Sequence, residues 1–103
     1  VAANGQIFAG LLKIRPFWQL AVPPQCNIVC FSYAPPGLDQ AETTSLNQRI
    51  RRAVLEDGRF YIVQTTLKGR HWLRVTLTNP FTTREDMAAL LEFCEEVYRR
   101  SRQ

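Results

Sequence analysis

The chain has 103 residues, 46% of them hydrophobic, with a formal net charge of +4. That length and apolar share suit one domain that buries a core without a disulfide or metal staple, and no apolar run approaches the ~20 residues of a membrane span. The charge excess is too mild to mark a nucleic-acid binder: Arg49, Arg51 and Arg52 read as a solvated helix face, and Arg99, Arg100 and Arg102 as a basic helix end suited to the helix dipole.

Val1 to Ile14 lacks the basic start and the apolar run of a signal peptide, and the missing initiator methionine fits a processed or excised chain. Within it, Ile7, Phe8, Leu11, Leu12 and Ile14 recur at helical spacing from about Gln6, and Pro16 stops the helix. Phe17 to Val22 suits a short strand. Asn27 to Tyr33 alternates as a second strand, with Val29, Phe31 and Tyr33 on one face. Leu46, Ile50, Ala53 and Val54 then predict a helix over about Ala41–Glu56, ended by Asp57-Gly58.

Phe60–Leu67 and His71–Thr78 form two further strand candidates, joined by a short turn at Lys68-Gly69-Arg70. Asn79-Pro80 ends the second. Thr82 with Glu85 has the spacing of a capping box, and Thr83 is an equally good cap. The last helix runs to about Arg100 with Met87, Leu90, Leu91, Cys94 and Val97 inward. The order predicts an α+β fold: a small antiparallel sheet with helices on one face. Many unrelated βαββα modules share that pattern.

Three cysteines and no secretion signal point to reduced thiols in a cytoplasmic protein. Cys26 and Cys30 sit in extended chain, where four residues span roughly 13 Å, too far for one tetrahedral metal. Cys94 falls in an apolar helical stripe. His71, the single histidine, has no nucleophile motif beside it, and the acidic residues form no acid/base pair. Lys13 lies near a helix end and Lys68 at a hairpin tip, both exposed positions and poor candidates for a Schiff-base lysine. No catalytic, cofactor-binding or metal-binding residue is therefore assigned.

The strand at His71–Thr78 is the most informative. Alternation puts His71, Leu73, Val75 and Leu77 beneath the helices, and Trp72, Arg74, Thr76 and Thr78 on the other face. An Arg fork in mid-strand could grip a carboxylate in bidentate fashion, or simply pair with a neighbouring strand.

Three segments resemble the group II pyridoxal-dependent decarboxylases: Ala21-Val-Pro-Pro-Gln-Cys-Asn-Ile-Val-Cys-Phe-Ser-Tyr33; Leu46-Asn-Gln-Arg-Ile50 with Asp57-Gly-Arg-Phe-Tyr-Ile62; and Leu73-Arg-Val-Thr-Leu-Thr-Asn-Pro-Phe-Thr-Thr83. The resemblance spans nearly the whole chain and matches the C-terminal part of that family. It implies the small domain of an aspartate-aminotransferase-type enzyme that releases the α-carboxylate of an amino acid as carbon dioxide. Pyridoxal 5'-phosphate would be bound by the large domain of the same protein, whose motifs are absent here. A homodimer is implied, and the piece alone is expected to be inactive. Arg74 matches the position that, in that family, contacts the substrate carboxylate or helps shape that end of the site, while Trp72, Thr76, Asn79 and Thr82 would pack or orient the domain interface.

Two other readings compete. One is a stand-alone βαββα module, for RNA through Trp72 beside Arg74; the other is an assembly domain without catalysis. If Trp72 and its neighbours normally meet a large domain, the isolated chain exposes an apolar patch there and should self-associate.

Overall fold

A computed structural model describes residues 4–24 and 27–102. The elements are α1 (Asn4–Ile14), β1 (Trp18–Leu20), β2 (Ile28–Tyr33), α2 (Gln40–Asp57), β3 (Ile62–Leu67), β4 (Arg70–Thr76) and α3 (Arg84–Ser101). Each predicted element is present, with small displacements at the ends. Cys26 lies outside the described residues, and with it the spacing argument that paired it with Cys30.

The four strands form one antiparallel sheet in the order β1-β2-β4-β3. β4 lies between β2 and β3, which are therefore parallel to each other. The segment β2-α2-β3 is a split βαβ unit with β4 filling the gap. Val29 pairs with Val75 and Phe31 with Leu73 across β2–β4, while Ile62 pairs with Val75 across β3–β4. Opposite residues in antiparallel strands share a face. These five side chains are buried together under the helices. α1 covers β1 and β2, α2 crosses β2, β4 and β3, and α3 packs against both other helices.

The core is aromatic on the α1 side. The Phe8 and Phe31 rings meet edge to face at 5.2 Å, and Trp18 sits 4.5 Å from Tyr33. Leu46, Ile50 and Val54 of α2 and Met87, Leu90, Leu91 and Cys94 of α3 complete it. Burying one such aliphatic side chain stabilises by about 2 kcal/mol.

The helix ends follow local chemistry. Asp39 caps α2, and its carboxylate accepts from Glu42 N while Glu42 reaches back to Asp39 N. Gly58 ends α2 in the left-handed region at φ 85°, a conformation that a Cβ disfavours. For α3 the cap is Thr83, not Thr82: Thr83 Oγ1 accepts from Asp86 N at 3.0 Å, and Asp86 accepts from Thr83 N at 2.9 Å. Asp86 thus fills the role expected of Glu85. The hairpin turn also differs from expectation. It has two residues, Lys68 and Gly69, both with positive φ (52° and 76°), and Arg70 already belongs to β4.

Two polar anchors escaped the periodicity. Asn47 is fully buried, and its amide bonds the N–H and C=O of Tyr33 at the end of β2. Glu95 is buried and accepts from Arg15 Nε (2.8 Å), Arg15 Nη2 (2.7 Å) and Trp18 Nε1 (2.9 Å). A charge buried this far needs such partners. Together they fasten α3 to the α1–β1 corner.

Candidate functional site

The strand register assigns the helix-free face of the sheet. Arg74 stands on β4 opposite Cys30 of β2 and opposite Val63 of β3; Ile28 pairs with Thr76, and Thr65 with Trp72. This is the polar and aromatic face expected from alternation. Arg74 is exposed, and among the described residues its side chain makes no hydrogen bond or ion pair. The expected alternative, pairing to a neighbouring strand, is therefore not what the structure has.

Trp72 behaves differently from expectation. It faces away from the helices yet is only 8% exposed. The Arg70 guanidinium stacks over its ring, 4.2 Å from the centroid, and donates to the Gln19 side chain on β1. β2 runs between β4 and β1, so Arg70 bridges across it, and Ser32 beneath is 2% exposed. The cation–π contact holds this cover in place. Trp72 is thus neither an apolar patch nor a free stacking platform, and the self-association expected from its exposure loses its basis. Ile28, 42% exposed, is an apolar side chain left open on this face. The spacing of Arg70 and Trp72, two apart on one strand, was the signal that could have revealed the cover.

Asn79 and Thr82 build the bend into α3. Asn79 Oδ1 accepts from Phe81 N at 2.9 Å, and its carbonyl accepts from Thr82 N at 3.1 Å and from Asn4 Nδ2 at 3.2 Å. The turn presents Phe81, 86% exposed. Thr76 is exposed beside Ile28.

Among the described residues the titratable groups show no activated nucleophile. Burial raises the Cys30 thiol, and the Arg74 charge offsets this only in part. Burial pushes Cys94 up to about 12. His71 Nε2 lies 3.0 Å from Gln64 Oε1, its Nδ1 is buried without a partner, and burial followed by the Arg51 charge lowers its pKa. A lowered thiol pKa is what a reactive cysteine needs, and neither thiol has one.

None of five clefts of ≈ 250 to ≈ 480 Å³ on the described surface is lined by Arg74, Lys13 or Lys68. Both lysines are exposed, and Lys68 sits in the two-residue turn. These residues do not fit a pyridoxal phosphate site, which needs a sheltered lysine in a cofactor pocket. Among the described residues no three His, Cys, Asp or Glu side chains are grouped to hold a metal. Among the described residues no helix is long and apolar enough to cross a membrane.

No family model matches the chain. A tryptophan decarboxylase from Camptotheca acuminata is 27% identical over 88% of this chain and 18% of its own length. An aromatic-L-amino-acid decarboxylase from Bacillus atrophaeus is 30% identical over 84% of this chain and 18% of its own length. The chain thus spans about a fifth of the length of the curated relatives it matches. Among solved structures, TDC of Oryza sativa with PLP and tryptamine superposes with a TM-score of 0.81 at 16% identity, covering 94% of this chain and 21% of that one. That likeness shows the fold, the one expected from the resemblance.

Proposed function

We propose that this chain, whose fold and detectable relatives are those of the group II pyridoxal-phosphate-dependent decarboxylases, is the C-terminal small domain of such an enzyme and completes its substrate site with Arg74. The observation that carries this reading is the exposed, unpaired Arg74 side chain at mid-strand on the helix-free face, in a chain that covers 18% of its curated relatives. An arginine without a carboxylate of its own is free to take one from a ligand.

A flat strand face is half a site. Arg74 lines none of those five clefts, and the second wall comes from the large domain of the same protein, which also holds pyridoxal 5'-phosphate. That cofactor, when bound, supplies the electron sink that lets an amino acid lose its carboxylate. The part of this chain is to bind and orient. The Arg74 fork takes two carboxylate oxygens and fixes the amino-acid substrate before reaction. Arg70 stacked on Trp72 and tied to Gln19 keeps the neighbouring stretch of β4 in place. Thr76, Asn79 and Thr82 shape the end of the sheet that meets the large domain. The intact protein is a homodimer of the cytoplasm, a compartment that the free thiols of Cys30 and Cys94 support. The stand-alone RNA-binding reading has no observation in its favour, since Trp72 is covered.

The test compares this chain with its full-length parent. With added pyridoxal phosphate, the parent develops the imine absorbance and releases carbon dioxide from an amino acid, and the 103-residue chain does neither. In the parent, Arg74→Gln raises KM by about two orders of magnitude, equivalent to the ~3 kcal/mol of a charge-assisted pair, while imine absorbance is unchanged. A parent without decarboxylase activity would sink the functional reading, and an Arg74→Gln parent with wild-type kinetics would remove Arg74 from it.

A further inference from the structure

α2 and α3 pack against each other in the helix layer. Where the start of α2 meets the end of α3, they leave a cleft of ≈ 420 Å³. Spacing sets the α2 wall. Glu42, Ser45, Leu46 and Arg49 recur at i, i+3, i+4 and i+7, so they share one helix face. Leu46, 1% exposed, is its apolar floor. The α3 wall carries Tyr98 and Arg102, four residues apart and again on one face.

Two of these side chains are held in place. The Tyr98 ring meets Tyr33 edge to face at 5.6 Å. The Arg102 guanidinium lies over the Tyr98 ring, 5.6 Å from its centroid, and Nη1 donates to the Tyr98 hydroxyl at 2.9 Å. A hydroxyl that accepts in this way keeps its own proton to donate. Glu42 is the one carboxylate in the lining, and its Oε1 is committed to the α2 cap, accepting from Asp39 N at 3.1 Å. Among the described residues, the Arg49 guanidinium and the Ser45 hydroxyl make no hydrogen bond, and Arg49 makes no ion pair. The sequence puts Arg49 on a helix face and Arg102 at a helix end. The fold brings both to one cleft, beside an aromatic ring and a buried leucine.

We propose that this cleft binds a small phosphate monoester with an apolar or aromatic body. A carboxylate has two oxygens and one charge, which a single guanidinium fork satisfies. Two forks and two hydroxyl protons suit instead the three oxygens and nearly double charge of a phosphate. Arg49, Arg102, Ser45 and Tyr98 supply those donors, and the body of the ligand lies on the Tyr98 ring and Leu46. With Glu42 turned to the cap, the two arginines leave the cleft net positive. The cleft belongs to the helix layer, whereas Arg74 is on the opposite face of the sheet. Its accessibility in the intact protein rests on the reading that the large domain meets that helix-free face.

The experiment is calorimetric titration with phenyl phosphate of the 103-residue chain and of the full-length parent holding its cofactor. Inorganic phosphate and benzoate are the controls. Phenyl phosphate should saturate with a Kd below about 1 mM, and both controls should bind at least about tenfold more weakly. Arg49→Gln and Arg102→Gln should each weaken binding about tenfold in both proteins, with unchanged circular dichroism. Arg74→Gln should leave the Kd unchanged. No readout uses decarboxylase activity, so this site and the assignment of Arg74 are tested separately. Absence of saturation, or a Kd unmoved by both cleft variants, would overturn the site. So would binding by the 103-residue chain and not by the parent, which would show that the rest of the protein fills the cleft. Either control binding as tightly as phenyl phosphate would overturn the ligand class.

Discussion

Asn47 bonds Tyr33 at both main-chain groups, accepting from its N–H at 2.9 Å and donating to its C=O at 2.8 Å, while also donating to Thr43 O at 2.7 Å. The side chain takes the place of β4 at Tyr33, beyond the last β2–β4 pair, Phe31 with Leu73, while β1 still pairs on the other side. Asn47→Ala leaves buried main-chain groups without partners and should cost about 3 kcal/mol in urea unfolding. Asn47→Asp should lose a similar amount at neutral pH, because a carboxylate cannot donate to either carbonyl. Loss of well under 1 kcal/mol in both variants would show that water substitutes for the amide.

Acid should destabilise the fold in two separate ranges. Burial and the Arg51 charge lower the His71 pKa, so the native state prefers the neutral ring. The resulting stability is present above the ordinary histidine pKa of about 6.5 and is lost as pH falls toward the native value. For Glu95, burial raises the pKa, but the Arg15 and Trp18 hydrogen bonds and the Arg15 charge outweigh it, and the net direction is down. Its contribution is present above about pH 4.3 and is lost as pH falls through the native pKa. His71→Gln should abolish the upper step alone. Glu95→Gln should abolish the lower step and cost about 2 kcal/mol at neutral pH, less than a fully buried pair because Arg15 is partly in water. Chemical unfolding across pH for the two variants checks both assignments.

The α3 start separates two adjacent threonines. Thr83 accepts from Asp86 N, whereas the Thr82 side chain makes no hydrogen bond among the described residues. Thr83→Ala should lower stability by about 1 kcal/mol and Thr82→Ala by much less. Equal losses would mean that the helix start can shift by one residue.

The pattern of apolar residues carried most of the architecture because each element has one wet side. Leu73 and Val75 alternate with exposed Arg74 and Thr76, and Met87, Leu90, Leu91 and Cys94 keep a helical stripe, so hydrophobic period alone assigns both faces. Asn47 and Glu95 stayed hidden for the converse reason. A polar residue next to an apolar stripe looks like a solvated one until its distant partner, Tyr33 or Arg15, is placed beside it. The burial of Trp72 likewise depends on Gln19, far away in the chain, drawing Arg70 across β2. At the candidate site, alternation assigned the face of Arg74, but only the fold showed that none of the described residues pairs with its guanidinium.

Lys68 gives the last prediction, because conformation and chemistry make opposite demands on it. Its φ of 52° is in the left-handed region, and with Gly69 at 76° it forms a turn whose first position favours Asn, Asp or Gly. Lysine is strained there, so Lys68→Asn should stabilise the chain by about 0.5 kcal/mol. If Lys68 were a cofactor lysine, the same change would abolish imine absorbance in the full-length protein. The exposed turn position predicts no change in that absorbance together with a higher Tm. Loss of the imine band in Lys68→Asn would place the cofactor on this chain and reverse the division of labour between the two domains.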